Sequence, residues 1–298
     1  MHDDELTVPE AVVGDLIAAQ FPRWRGLPVR RLASAGTVNA IFRVGDKLAA
    51  RFPLRAGDPA ASGRALAAEA AAAREVAAAT RFPVPEPVAR GEPGPGYPLP
   101  WSVQTWLPGV TGDVRDPARS DAFARDLAEF IAGVRAIGTR GRVFRGNGRG
   151  GDLAGHDEWV ADCLRHSAGL LDVPRLTRLW QELRELPREA PDVMSHGDLT
   201  PGNVLVADGH LAGVLDLGQF GPADPGLDLI SAWNLLEAGP RAELRAALRC
   251  PDLDWERGRA WAFEQAIGLV WYYAASNPVM SRLGRVTLDR ITADRPGS

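Results

Sequence analysis

The sequence predicts an α+β chain in two lobes, a strand-rich N-terminal lobe and a mostly helical C-terminal lobe. Short apolar runs between glycine and proline turns are concentrated in the first 107 residues. From Arg119 onward, apolar residues recur at helical spacing instead. The chain of 298 residues also exceeds the ~250 residues beyond which a single core tends to divide. We therefore expect lobes over 1–107 and 108–298.

Charge and composition exclude several classes of protein. A formal net charge of -4 does not provide the basic surface of a nucleic-acid-binding protein. No apolar run approaches the ~18 residues that span a membrane, and the acidic segment Met1–Glu5 is unlike a signal peptide. The two cysteines, Cys163 and Cys250, provide neither metal-ligand spacing nor a disulfide framework. We expect a cytoplasmic protein that binds neither nucleic acid nor membrane.

The N-terminal lobe is expected to contain a small sheet and two helices. Pro9 suits the first turn of a helix, and the apolar residues that follow it have helical spacing. Strand-like runs bounded by turn residues come next, and an alanine-rich stretch favours a second helix. The predicted ranges are helices over 8–20 and 64–79 and strands over 28–32, 40–44, 47–52, 88–91 and 101–107.

This lobe contains candidate contacts to nucleotide phosphates. The small polar loop Ser34–Asn39 lies between two predicted strands, and Gly36 and Thr37 within it are candidates; an ordinary hairpin loop is the alternative. Arg51 lies on the third predicted strand, where its guanidinium fork suits phosphate oxygens. Lys47 shares the face of Arg51 but is expected at the exposed tip of the hairpin.

A carboxylate on the following helix is expected to pair with Arg51. Glu69 lies on this alanine-rich helix and is the first candidate, with Glu75 as the alternative. A solvated surface charge is the competing interpretation of either glutamate, because charged residues on such helices usually face water.

Helical periodicity dominates the C-terminal lobe. One apolar face comprises Phe123, Leu127, Phe130, Ile131, Val134 and Ile137. Further helices are predicted over 156–171, 174–187, 228–238, 240–249, 254–276 and 279–293. Between these helices, Gly146, Gly148 and Gly151 have the GxGxxG spacing, but no strand precedes them, so we reject a dinucleotide site there.

The segment His196–Asn203 carries the strongest chemical signal in the chain. Pro201 and Gly202 favour a tight loop that directs Asp198 and Asn203 into one site. A β-hairpin with an Asp-Gly turn then returns the chain to the same end, where Asp216 follows the second strand. A carboxylate base, an amide oxygen and a second carboxylate are thereby brought together. The last two are hard oxygen ligands suited to Mg²⁺ on a nucleoside triphosphate.

The segment after Asp216 is too short for a long phosphorylatable activation loop. We therefore predict a site built for a small molecule rather than for a protein substrate. Asp224 and Asp228 are expected either to cap a helix or to brace the Asp198 loop by accepting its backbone N–H groups.

These motifs resemble the aminoglycoside phosphotransferase family, whose members have a bilobal protein-kinase-like fold. The resemblance implies a five-stranded N-lobe with one main helix, a hinge and a helical C-lobe. It also implies transfer of the γ-phosphoryl group of ATP or GTP to a hydroxyl. Two departures are Arg51 in place of the usual lysine and a glycine-poor phosphate loop. The resemblance is carried by residues 39–52, 101–109, 196–203, 214–218, 221–229 and 271–273.

The resemblance also implies roles for individual residues. Asp198 matches the catalytic base, and Asn203 and Asp216 match the Mg²⁺ ligands. Thr105 and Leu107 match the hinge positions whose backbone contacts the purine.

The acceptor is left open by the sequence. Acidic side chains would favour a cationic antibiotic such as an aminoglycoside, whereas a tryptophan-rich pocket would favour a macrolide. A metabolic kinase of the choline, homoserine or sugar type is a further alternative, and a regulatory pseudokinase is another. The candidate substrate residues are Asp157, Glu158, Glu237, Glu264 and Trp271.

Overall fold

The computed structural model describes residues 6–32, 38–146 and 148–294. The chain forms two compact units, one comprising Met1–Ala78 and Pro83–Pro108 and the other Ala79–Phe82 and Gly109–Ser298. The phosphate-loop candidates Gly36 and Thr37 lie outside the described residues. Within the described ranges, no helix is both long and apolar enough to cross a membrane.

The first unit contains an antiparallel five-stranded sheet in the order β1-β2-β3-β5-β4. Its aromatic core includes Phe52, whose ring stacks on Trp101 with centroids 4.7 Å apart. Gly91 allows this packing, since a Cβ there would lie 2.0 Å from the Trp101 ring. Its elements are α1 (Glu10–Gln20), β1 (Val29–Arg31), β2 (Asn39–Val44), β3 (Leu48–Pro53), α2 (Pro59–Ala77), β4 (Pro87–Gly91) and β5 (Trp101–Thr105).

Helix α2 begins five residues earlier than the sequence prediction of residue 64. The Asp58 carboxylate accepts the backbone N–H groups of Ala60 and Ala61 at 3.1 and 2.9 Å. Pro59 occupies the first helical position, where its missing N–H costs nothing. Asp58 and Pro59 together therefore start the helix. The sequence prediction rested on the alanine-rich composition and did not include this local signal.

The second unit is mostly helical, as predicted, and the α+β composition of the chain is confirmed. The predicted apolar face of α3 is buried throughout, which anchors this helix in the core. The helix predicted over 156–171 ends early at His166, because the chain turns at Gly169 with a φ of 78°. Its elements are β6 (Val110–Thr111), α3 (Asp121–Ala136), α4 (Asp157–His166), α5 (Val173–Leu183), β7 (Val193–Ser195), β8 (Val204–Ala207), β9 (His210–Val214), β10 (Gly221–Ala223), α6 (Ile230–Leu235), α7 (Ala238–Leu248), α8 (Asp252–Tyr272) and α9 (Pro278–Ala293).

Candidate active site

The loop that carries Asp198 connects two short sheets of the second unit. It follows β7, which pairs with β10, and it leads into β8, which forms a hairpin with β9. Asp208 and Gly209 both have positive φ at the hairpin turn, which confirms the predicted Asp-Gly turn. The Leu215 N–H donates to the Asn203 carbonyl at 2.8 Å. The hairpin therefore returns the chain beside Asn203, one residue before Asp216.

The two carboxylate oxygens of Asp198 face different partners. Asn203 Nδ2 donates to Asp198 Oδ2 at 3.0 Å and to the Asp198 carbonyl at 2.9 Å. On the other side, Arg149 Nη2 and Gln265 Nε2 each donate to Asp198 Oδ1 at 3.3 Å. Because Asn203 Nδ2 makes both of these contacts, Oδ1 is the atom of this amide that is suited to a metal ion.

Asp216 occupies a left-handed conformation with a φ of 60°. Aspartate tolerates this region better than most residues, and the turn directs the chain out of β9. No three His, Cys, Asp or Glu side chains gather into a metal site within the described ranges. An amide oxygen and one carboxylate nevertheless fit Mg²⁺, which commonly takes one or two protein ligands and completes its shell with phosphates and water.

His196 connects the loop to the end of β9, a role that the sequence did not predict. Its Nδ1 accepts the Asp198 N–H at 3.2 Å, and its Nε2–H donates to the Leu215 carbonyl at 2.9 Å. Because one partner only donates and the other only accepts, these contacts fix the neutral Nε2–H tautomer. The two hydrogen bonds of this fully buried ring thus fix the backbone at Asp198 and at Leu215, the residue before Asp216.

Asp228 braces the same loop, which confirms one of the two roles predicted for it. Its carboxylate accepts the N–H groups of His196 and Gly197 at 2.9 and 3.0 Å and the Ser195 hydroxyl at 2.7 Å. Gly197 has a φ of 85°, and a Cβ there would lie 2.8 Å from the Gln219 carbonyl oxygen. Asp224 differs from the capping prediction: its carboxylate accepts the Gly226 N–H at 2.7 Å in the turn before the short helix Leu227–Leu229, which has no side-chain cap, and it pairs with Arg257.

In the first unit, Arg51 is a buried cation on β3 and forms the predicted ion pair with Glu69. Glu69 lies on α2, and its side chain is largely buried. Lys47 is exposed beside the turn between β2 and β3, as its position in the sequence predicts. The structure thus provides a guanidinium held by a carboxylate at the position where the sequence predicts a phosphate-binding cation.

Thr105 and Leu107 lie at and just after the end of β5. The Thr105 N–H donates to the Glu86 carbonyl, and the Glu86 N–H donates to Thr105 Oγ1, both at 2.9 Å. The Trp106 N–H donates to the Lys47 carbonyl at 2.8 Å. Because the Thr105 N–H is engaged within the sheet, a purine at this position would have to use the Thr105 carbonyl or the backbone of Leu107.

The candidate acceptor residues are mostly engaged in ion pairs. Asp157 binds Arg184 and also accepts the Trp180 indole N–H at 3.0 Å. Glu237 binds Arg290 at 2.7 Å. Glu158 is exposed at the start of α4, and the Trp271 ring stacks on His166 with centroids 4.3 Å apart. The fifth candidate, Glu264, directly precedes Gln265, whose side chain contacts Asp198.

Glu264 forms a buried pair with His156, whose Nδ1 lies 2.8 Å from Glu264 Oε1. This hydrogen bond raises the pKa of His156 above its ordinary value of 6.5. The stabilisation that it gives is complete below the unfolded pKa and is lost as the pH rises through the folded pKa. We therefore expect the free energy of unfolding to fall as the pH rises above 6.5, less steeply in His156→Gln than in the wild type. Denaturant titrations across pH measure this difference, and equal slopes would contradict the prediction.

The loop, the returning hairpin and the Arg51–Glu69 pair define the class of kinase-like phosphotransferase folds. The chain belongs to the phosphotransferase enzyme family (APH), whose family model matches residues 29–261. This match confirms the resemblance found in the sequence.

Curated relatives match over a limited part of their length. An aminoglycoside 3'-phosphotransferase of Escherichia coli is 39% identical over 61 residues, which cover 20% of this chain and 22% of that protein. Its counterpart in Streptomyces fradiae is 39% identical over 94 residues, which cover 27% and 35%. The matched segments thus span about a third or less of these relatives.

Solved structures match over nearly the whole chain. The GDP complex of wild-type aminoglycoside 2'-phosphotransferase-IIIa has a TM-score of 0.73 at 18% identity and covers 96% of this chain and 99% of that one. Macrolide 2'-phosphotransferase MphH from Brachybacterium faecium has a TM-score of 0.61 at 20% identity, with coverages of 92% and 97%. These similarities confirm the predicted kinase-like α+β fold.

Proposed function

We propose that this protein transfers the γ-phosphoryl group of ATP or GTP to a hydroxyl of a small molecule. The observation that carries the proposal is the hydrogen-bonded set formed by Asp198, Asn203 and His196, which is joined to the strand end that precedes Asp216. The acceptor oxygen forms a bond to the γ-phosphorus, and the bond from this phosphorus to the β,γ-bridging oxygen breaks. Asp198 orients the hydroxyl and takes its proton late, because the transition state is loose.

Asn203 Oδ1 and the Asp216 carboxylate would hold Mg²⁺. When bound, the ion neutralises charge on the β- and γ-phosphates. Arg51, steadied by Glu69, neutralises the α- and β-phosphates, and the backbone at Thr105 and Leu107 contacts the purine edge. Neighbouring structures bound to GDP, ADP and ATP support either nucleotide as the donor.

The acceptor classes to test first follow from the names of the relatives. These names support an antibiotic, either an aminoglycoside or a macrolide. A panel of kanamycin, a macrolide, choline, homoserine and a sugar, run with ATP and GTP in parallel, measures release of ADP or GDP and the mass of the product. Nucleotide binding without phosphorylation of any hydroxyl would favour the pseudokinase alternative, against which the intact set of Asp198, Asn203 and Asp216 argues.

Asp216→Ala is expected to weaken Mg-nucleotide binding at least about tenfold, because a metal ligand is lost. Calorimetry with Mg²⁺ and with a chelator measures the effect, which should vanish when the metal is removed. Asp208→Asn, an exposed change in the turn of the same hairpin, is the matched control. Equal affinity of Asp216→Ala and the wild type in Mg²⁺ would refute the metal role.

A further inference from the structure

The glycine-rich segment rejected above as a dinucleotide site has a different structural role. Residues 148–151, named here the 148–151 segment, are held by hydrogen bonds from three separate elements. The Gly148 carbonyl accepts from His156 Nε2 at 3.3 Å, and the Gly150 carbonyl accepts the Asp224 N–H at 2.9 Å. The Gly151 carbonyl accepts from Arg257 Nη2 at 3.4 Å. The segment is therefore fixed at three of its four residues.

Close packing explains the two glycines that follow the remaining residue, Arg149. Gly150 has a φ of 101°, and a Cβ there would lie 2.8 Å from Ala223 Cβ. A Cβ on Gly151 would lie 2.6 Å from the Phe144 ring. Arg149 is the residue of the segment that carries a side chain, and that side chain reaches Asp198.

Arg149 contacts the oxygen of Asp198 that faces away from Asn203. In phosphoryl transfer the attacking and leaving oxygens are roughly in line, so the acceptor approaches from the side opposite the metal-bound phosphates. Arg149 and Gln265 therefore mark the acceptor side of Asp198. The side chains of Arg149 and Asp198 are 25% and 30% exposed, which leaves both accessible to a ligand.

The acidic acceptor candidates provide few unpaired carboxylates for a polycation. Three of the four acidic acceptor candidates already have partners, since Asp157 and Glu237 pair with Arg184 and Arg290 and Glu264 is hydrogen-bonded to His156. Asp198 itself is paired with Arg149, so a cation lies beside the carboxylate that is proposed to orient the hydroxyl.

We propose that Arg149 binds an anionic group, a carboxylate or a phosphate, on the acceptor close to the hydroxyl that is phosphorylated. This inference rests on the proposed phosphoryl transfer and, among its alternative acceptors, selects those that carry an anionic group, such as homoserine, over an aminoglycoside. Without an acceptor, the guanidinium pairs with Asp198; when an acceptor binds, it forms charge-assisted hydrogen bonds to the acceptor anion.

Paired acceptors test the proposal. 4-Hydroxybutyrate against its amide examines the carboxylate, and glycerol 3-phosphate against glycerol examines the phosphate. We expect the wild type to prefer the anionic member of at least one pair over its neutral partner and over kanamycin. A preference for kanamycin or for the neutral partners would overturn the proposal.

Arg149→Gln should raise KM for the preferred anion about 10- to 100-fold and leave the neutral partner unchanged, as loss of a hydrogen bond to a charged group predicts. Arg149→Lys should restore part of the preference. Arg145→Gln, which removes an exposed charge from the same loop, should behave as the wild type. An equal fall in kcat for both members of a pair would assign Arg149 to the phosphoryl group and overturn the proposal.

Binding of malonate or sulfate to the ADP-saturated protein gives a readout without turnover. The wild type should bind one of these anions more tightly than Arg149→Gln does, and equal binding or none would contradict the role of Arg149. A failure of the proposed function has a different signature, because no acceptor of the panel, anionic or neutral, would then be phosphorylated, whether or not nucleotide binds.

Discussion

Replacing Asp198 by alanine is expected to lower turnover by about 10²- to 10⁴-fold, the range typical for loss of a positioned proton acceptor. The carboxylate is held by Asn203 on one side and by Arg149 and Gln265 on the other, so its orientation is fixed before the acceptor arrives. Nucleotide affinity should change little, because the proposed metal ligands Asn203 and Asp216 remain. Steady-state rates and calorimetric binding of the nucleotide measure the two quantities.

Loss of Asp198 also removes the partner of three polar side chains, so the melting temperature should be compared alongside the rate. Asp208→Asn again serves as the matched control, since it changes an exposed aspartate on the neighbouring hairpin. An Asp198→Ala protein with an unchanged rate, folded and binding nucleotide, would exclude Asp198 as the base.

The parts of the site that the sequence predicts are those encoded by local geometry. Asn203 lies five residues after Asp198, and a hairpin with an Asp-Gly turn can return the chain only to the end from which it left. Lys47 and Arg51 share one face of their strand, and distance from the hairpin turn distinguishes them, because Lys47 lies at the exposed tip and Arg51 lies four residues deeper. Short spacings and regular periods restrict these side chains to a few arrangements.

The contacts that complete the site join residues distant in sequence, and no local pattern specifies them. Gln265 reaches Asp198 from 67 residues away, and Arg149 does so from 49. The spacing of Gly148 and Gly151 indicated a loop but could not identify the elements that hold it. The sequence likewise identified Glu264 as a candidate contact to the acceptor without predicting its hydrogen bond to His156.

Breaking the Asp224–Arg257 ion pair is expected to have the largest effect on stability. Both side chains are almost fully buried, and Arg257 Nε donates to Asp224 Oδ2 at 2.6 Å. Asp224→Ala leaves the guanidinium buried without its carboxylate, so the free energy of unfolding should fall by about 3–5 kcal/mol. Urea denaturation measures this loss. Arg257 also donates to the Gly151 carbonyl, so the variant should weaken the support of the 148–151 segment as well.

Two further variants separate burial from charge pairing. Asp224→Leu combined with Arg257→Met should cost less than Asp224→Ala alone, because no unpaired charge remains buried. Asp252→Ala removes a carboxylate that is 97% exposed and pairs with Arg245, so it should cost no more than about 1 kcal/mol. If Asp224→Ala cost as little as Asp252→Ala, the buried pair would not hold this part of the fold. The 148–151 segment that carries Arg149 would then depend on the hydrogen bonds at Gly148 and Gly150.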